Sequence, residues 1–362
     1  MNQSDTNLLE LFESPAPAFS DQHVLDILRE HYGLEGELKD LASERDQNFL
    51  VMASNAEKRL LRVSNQLEDP AITNFQTSAF QHVEKTAPDL MVSRVIPNLN
   101  GDAEPTVTDS DGVKYIVRLF SWVEGTALIC VPSSKQPDNA EEMGRLGARM
   151  AIALKDFQHP AMNNKLLWDV KNAGNLENLL EKVDDETLHK LVNDQMERFK
   201  SYVRPTLNKL PSQVVFNDMS PRNIIVDPEN PANFSGFIDF GDMVCTPRII
   251  DVAVACVYWV NNSEDPLHDV ALFLKGYNQL QPLQEEELKV LLDVMLSRTM
   301  MQVLIYFWRA EMFPENREYI IQNLPQARRT LEQLSTLDRN EVKQKFQNTC
   351  AQSAATPTKC NK

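Results

Sequence analysis

Cysteine, histidine and basic residues are the scarcities of this sequence, and each narrows the chemistry open to it. The five cysteines, Cys130, Cys245, Cys256, Cys350 and Cys360, are odd in number and show no paired ligand spacing. They read as free thiols in a reducing compartment, and a cytoplasmic location is expected. The six histidines include no pair four residues apart, which argues against a helical zinc site. Against 52 acidic residues stand only 36 basic ones, for a formal net charge of -16. Phosphate backbones need a basic face, so nucleic acid is excluded as an expected partner, whereas a small cationic substrate suits such a field. The opening MNQSDTNLLELFESP has no basic region before its apolar residues, and no apolar run approaches 18 residues. Neither a signal peptide nor a membrane partner is expected.

What is present is 362 residues, enough for two lobes with cores of their own. Residues 1–20 read as a flexible lead-in ending in SPAPAFS. A helix capped by Ser20-Asp21 and stopped at Gly33 follows, then strands over 48–53 and 59–63, a helix over 75–85, and strands over 91–96 and 113–120. Texture changes at Ser121-Trp122-Val123-Glu124-Gly125, which makes 121–130 the expected hinge between a small lobe, 21–120, and a larger one, 131–349. In the larger lobe helices are expected over 139–157, 176–180, 185–207, 248–261, 266–280, 284–313 and 316–334, and residues 350–362 are expected to be a disordered tail.

Val214 to Met243, VVFNDMSPRNIIVDPENPANFSGFIDFGDM, organises the rest. Two short apolar runs, 223–226 and 236–239, flank a loop-like connection and read as a β-hairpin. If Val226 lies opposite Gly236, Asn223 falls opposite Asp239. Strands about 4.8 Å apart let two such oxygen-bearing side chains hold one hard cation. Magnesium usually completes its octahedron with phosphate oxygens and water, so one Asn and one Asp point to a nucleotide phosphate as the missing ligand. Asp218 precedes Asn223 on the entering loop and is the candidate base. Taken singly, NDMSPRN also reads as a capped turn and DFGD as an acidic loop.

Asp-x4-Asn followed by Asp-Phe-Gly resembles the catalytic and metal loops of protein kinases. SERDQNF, LLRVSN, YIVRLFSWVEG, LWDVKNAGNLENLL and GFIDFGDM extend the likeness. Over about residues 20–335 the chain resembles the aminoglycoside phosphotransferase and choline kinase superfamily, and within it the hydroxylysine kinases and their bacterial relatives. The resemblance implies an α+β, bilobal, protein-kinase-like fold, with a small N-terminal antiparallel-sheet lobe that binds nucleotide and a larger, mainly helical C-terminal lobe. It implies Asp218 as catalytic base, Asn223 and Asp239 as Mg²⁺ ligands, and a loop over the nucleotide phosphates with Ser43, Arg45 and Gln47, backed by Arg62. ATP or GTP is the implied co-substrate, and the acceptor a small hydroxylated amine.

Three departures bear on activity. Arg62 stands where the family's strand carries lysine, and a planar fork does not replace an ammonium freely. The glutamate that would orient it is missing from NFQTSAF, which offers Asn74, Gln76 and Ser78. Phe216-Asn217-Asp218 replaces His-Gly-Asp, with Phe216 able to support the loop by packing. A kinase-shaped binding protein that has lost catalysis is therefore the second reading, and the absence of Ala-Pro-Glu after Asp239 argues against a protein kinase. Asp242 reads as a turn residue or a contact to metal or substrate amine. Asp251 reads either as a cap or as a carboxylate holding the catalytic loop. Arg298 and Arg309, within the Met- and aromatic-rich 295–313, are candidate partners for a substrate carboxylate.

Overall fold

The computed structural model describes residues 14–43, 45–132 and 139–354. Contacts divide them into two compact units. One runs to Ala127 and takes in Gln158–Met162 and Ile224–Gly241; the other holds Leu128–Phe157, Asn163–Asn223 and the chain from Asp242 onward. The division falls within 121–130. The hairpin, which the sequence reading placed in the second lobe, groups with the first unit.

The first unit begins with α1, Asp21–Tyr32, whose Ser20 hydroxyl accepts the His23 N–H and whose end is set by Gly33 at φ 64°. Val24, Ile27, Leu28 and Tyr32 recur at helical spacing and are buried. They pack on one face of an antiparallel sheet of β1 (Gly36–Leu41), β2 (Gln47–Ala53), β3 (Lys58–Val63), β4 (Val95–Ile96), β5 (Thr106–Thr108) and β6 (Lys114–Ser121), ordered β1-β2-β3-β6-β4 with β5 also on β6. Phe49 and Val51, Leu61 and Val63, and Val117 and Leu119 alternate onto that face. Between β3 and β4 lies α2, Pro70–Thr86, capped by Asp69 with proline at its first position.

The lead-in is not loose where it is described. Phe19 is buried, its N–H donating to Gln47 Oε1 at 2.8 Å and its carbonyl accepting from Gln47 Nε2 at 3.0 Å. Asn65 Nδ2 donates to the Pro15 carbonyl at 3.2 Å, so the expected flexibility fails from Pro15 on; residues 1–13 lie outside the described residues.

A second sheet in this unit orders β10 (Phe234–Phe237), β9 (Ile224–Val226) and β7 (Thr126–Ala127). The hairpin is antiparallel, but its register pairs Phe234 with Val226, Gly236 with Ile225 and Phe237 with Ile224, with an irregularity between Phe234 and Gly236. Val226 therefore does not face Gly236 as expected. A bulge adds one residue to a strand, and sequence periodicity cannot announce it. The close approach of Met91 and Val123 explains the glycine there, since a Cβ on Gly236 would meet Val123 Cγ1 at 2.7 Å.

The second unit contains α3 (Ala140–Ala153), a 3₁₀ stretch (Val170–Lys182), α4 (Glu186–Arg198), α5 (Ile249–Val257), α6 (His268–Leu280), α7 (Glu285–Met312), α8 (Leu324–Ser335) and α9 (Arg339–Ala354). Between them β8 (Ser212–Val215) pairs antiparallel with β11 (Val244–Pro247). Beyond α4 the helix widens into a π turn over Phe199–Val203, just ahead of Pro205, whose ring removes one N–H from the ladder. Helix α7 is long and apolar enough to cross a membrane, yet 89% of that stretch is packed inside. Asp293 and Arg298 lie buried on it, so it is the unit's core helix. The tail expected from residue 350 is helical to Ala354, with Cys350 buried and its carbonyl accepting from Asn278 Nδ2 at 3.0 Å. Residues 355–362 lie outside the described residues.

Candidate active site

In the second unit, β8 leads into Phe216-Asn217-Asp218. Phe216 is 1% exposed and supports the loop by packing. Asn217 takes φ 61°, a left-handed turn that glycine adopts freely and asparagine tolerates, which explains why Asn can stand in the Gly position of His-Gly-Asp. That turn brings Asp218 out partly exposed. Asn223 Nδ2 donates to Asp218 Oδ2 at 2.6 Å and to the Asp218 carbonyl at 3.2 Å. Both N–H groups of that amide can thus face the loop, leaving the Asn223 oxygen as a hard donor.

Asp251, in the first turn of α5, resolves its two readings. Its Oδ1 accepts the Asn217 N–H at 2.7 Å, so it holds the turn before Asp218. Burial raises its carboxyl to about 6, with the Asn217 hydrogen bond lowering it in part and the charge of Asp218 adding to the rise.

Asp239 belongs to the first unit, two residues beyond β10. It too is left-handed, at φ 62°, its Oδ1 accepting the Gly241 N–H at 3.0 Å while the residue stays exposed. Phe240 turns inward and stacks on Phe80 of α2 at 3.9 Å between centroids. Asn and Asp oxygens are the donors magnesium takes, and among the described residues no group of three His, Cys, Asp or Glu forms a cage. Such an ion would have to draw its other ligands from phosphate and water. Asp242, half-buried, opens the return of the chain into the second unit.

The phosphate-loop candidates all lie in the first unit, Ser43 and Arg45 on the turn joining β1 to β2, Gln47 at the start of β2 and Arg62 on β3. β1, GELKDL, alternates too weakly to be read as a strand, since none of its residues is fully buried. Ser43 Oγ accepts the Asp46 N–H at 3.2 Å, and Arg45 lies 3.8 Å from Glu68; Glu44 is outside the described residues. The Gln47 amide is committed to Phe19, so it ties down the lead-in instead of facing a ligand. Arg62 finds the partners its helix lacks on the loop and on β2: Asp46 Oδ2 at 3.7 Å and Asn48 Oδ1 at 3.3 Å. Gln76, where the family carries a glutamate, instead accepts from the buried Arg118, which lies opposite Arg62 in the β3–β6 register. Asp46 and Arg118 were not singled out in the sequence, although SERDQNF and YIVRLF contain them.

On α7, Arg298 is 4% exposed and Arg309 half-buried. Arg298 lies over the Trp168 ring at 4.7 Å and donates to the Trp168 carbonyl at 2.8 Å. Burial pushes the nearby Tyr258 phenol up to about 12, with the charge of Asp218 adding to the rise and Arg298 opposing it. Tyr258 and Trp168 therefore accompany Asp218 and Arg298 in this unit. Trp168 lies within LWDVKNAGNLENLL, one of the stretches that carry the family likeness, whereas Tyr258 carries no such signal.

The family model described as "APH: Phosphotransferase enzyme family" matches residues 37–285. Hydroxylysine kinase of Danio rerio is 25% identical over 342 residues, covering 91% of this chain and 95% of that protein. Among solved structures, amicoumacin kinase hAmiN in complex with AMP-PNP, Ca2+ and Ami aligns with a TM-score of 0.66 and 15% identity, covering 90% of this chain and 97% of that one. The microcompartment-associated aminopropanol kinase aligns with a TM-score of 0.61 and 17% identity, covering 92% and 96%. These likenesses show the kinase-like α+β fold, with an antiparallel-sheet N-terminal part and a helical C-terminal part. Since the family match spans more than half of its residues, the chain belongs to the phosphotransferase enzyme family.

Proposed function

We propose that this phosphotransferase moves the γ-phosphoryl group of ATP or GTP to a hydroxyl of a small amine-bearing metabolite, a hydroxylysine-like amino acid or an amino alcohol. The observation that carries the reading is the loop around Asp218: a carboxylate fixed by Asn223 at 2.6 Å, on a left-handed turn itself held by Asp251. A base must be held in one orientation before it can collect a proton from a bound hydroxyl.

In the proposed reaction the acceptor oxygen attacks the γ-phosphorus in line, the bond to the β-phosphate oxygen breaks, and the acceptor proton passes to Asp218. Such a base contributes about 10²- to 10⁴-fold. Asn223 and Asp239 would hold Mg²⁺, which when bound offsets charge on the phosphate oxygens. Ser43, Arg45 and Arg62 grip the polyphosphate; Arg62 then exchanges its ion pair with Asp46 for phosphate oxygens, which suit a guanidinium fork. The kinship with hydroxylysine kinases and the resemblance to an aminopropanol kinase support an amine-bearing acceptor. The excess of acidic residues suits it as well.

Release of ADP or GDP by the purified protein, screened over hydroxylated amino acids, amino alcohols and aminoglycosides, tests the proposal. Acceptor-dependent release with an amine-bearing alcohol is expected. No release with any acceptor or either nucleotide would favour the binding-protein reading that Arg62 and Phe216 suggested.

A further inference from the structure

Within the second unit, Arg298 is a buried cation whose surroundings do not neutralise it. Its Nη1 is spent on the Trp168 carbonyl at 2.8 Å, and its Cζ lies over the Trp168 ring, 4.7 Å from the centroid. Its Nε is buried and has no hydrogen-bond partner, and no carboxylate lies within ion-pair distance among the described residues. Tyr258 stands within hydrogen-bonding reach of the guanidinium and also feels the charge of Asp218. Burial also raises the Tyr306 phenol, while Arg298, Arg222 and Arg309 all oppose the rise. A protein with 16 more acidic than basic residues has thus gathered positive charge around these two phenols and left one guanidinium buried without a counter-ion.

A buried, unpaired charge is unfavourable, and an indole face and one carbonyl offset only part of that. An anion brought by a ligand would recover the rest. Because one terminal nitrogen is taken by a carbonyl and Nε has no partner, the edge carrying Nε remains to match a planar carboxylate.

We propose that Arg298 binds the carboxylate of the acceptor, so that the substrate is a hydroxylated amino acid and not a decarboxylated amino alcohol or an aminoglycoside. The inference rests on the kinase reading above and narrows it. Arg298 and Asp218 would engage the two ends of the same small molecule, carboxylate and hydroxyl, with Tyr258 flanking both.

The test compares kcat/KM for 5-hydroxylysine and for the amino alcohol left when its carboxylate is removed, in the native enzyme, Arg298→Gln and Arg298→Lys. A charged hydrogen-bond pair of this kind is worth roughly 10- to 100-fold, so the native enzyme should favour the carboxylate-bearing acceptor by at least that margin. In Arg298→Gln the preference should collapse toward one, chiefly through KM, with Arg298→Lys between. A native preference near one would overturn the assignment, as would an equal loss for both acceptors, the mark of a charge serving the transferred phosphoryl. Should the buried substitutions fail to fold, the native ratio still decides. Should no acceptor be phosphorylated, the kinase reading fails, and calorimetric binding of 5-hydroxylysine decides the site separately. Binding to the native protein but not to Arg298→Gln supports it; absence of binding overturns it.

Discussion

Asp251 illustrates how one buried carboxyl couples chemistry to stability. It is raised to about 6, first by burial, and it accepts the N–H that sets the turn before Asp218. A carboxyl with a folded pKa above its ordinary value binds more protons folded than unfolded within that window. The stability it contributes is therefore present near pH 4 and lost as pH rises through about 6. Asp251→Asn keeps an oxygen to accept from Asn217 but cannot titrate. Denaturant unfolding of both proteins should show native stability falling relative to the variant between about pH 4 and 7; a flat difference would contradict the assignment. Arg62 makes a related point. The sequence shows that an arginine has replaced lysine and that its helix offers no glutamate, but Asp46, 16 residues earlier on a turn, becomes its neighbour only through the β2–β3 pairing.

At the scale of elements, helices α3 and α6 cross where both carry glycine. A Cβ on Gly144 would come within 2.0 Å of the Phe273 carbonyl oxygen, and one on Gly276 within 1.8 Å of that of Glu141. Backbone cannot yield as a side-chain tip can, so Gly276→Ala should destabilise the second unit by about 1–3 kcal/mol or more, despite alanine's better helix propensity. A fall in thermal midpoint checks this, and an unchanged or raised midpoint would contradict it. Elements of strong local pattern were legible beforehand. The periodic apolar face and caps of α1 are plain in the sequence, as are the short apolar runs of β2, β3 and β6 and the long apolar α7. Others depend on tertiary context. β1 has no buried residue to show alternation, β7 is two residues long, the bulge in β10 shifts the hairpin register, and α9 is polar enough that its last turn passed for a disordered tail.

At the scale of the molecule, the chain passes between its two units at 223–224 and at 241–242, beside the two proposed metal ligands. The order Asp218, Asn223, Asp239 is therefore the order in which the chain leaves one unit, turns through a hairpin and returns. That is why a linear motif sufficed to find the candidate site, while Tyr258, Trp168 and the counter-ion of Arg62 did not come with it. The central claim, that Asp218 takes the acceptor proton, is tested most directly by acceptor-dependent release of nucleoside diphosphate from the native enzyme and Asp218→Asn, side by side, with nucleotide binding measured for both. A fall in kcat of about 10²- to 10⁴-fold with nucleotide affinity and thermal stability retained is predicted. Rates within a few-fold of each other would contradict it.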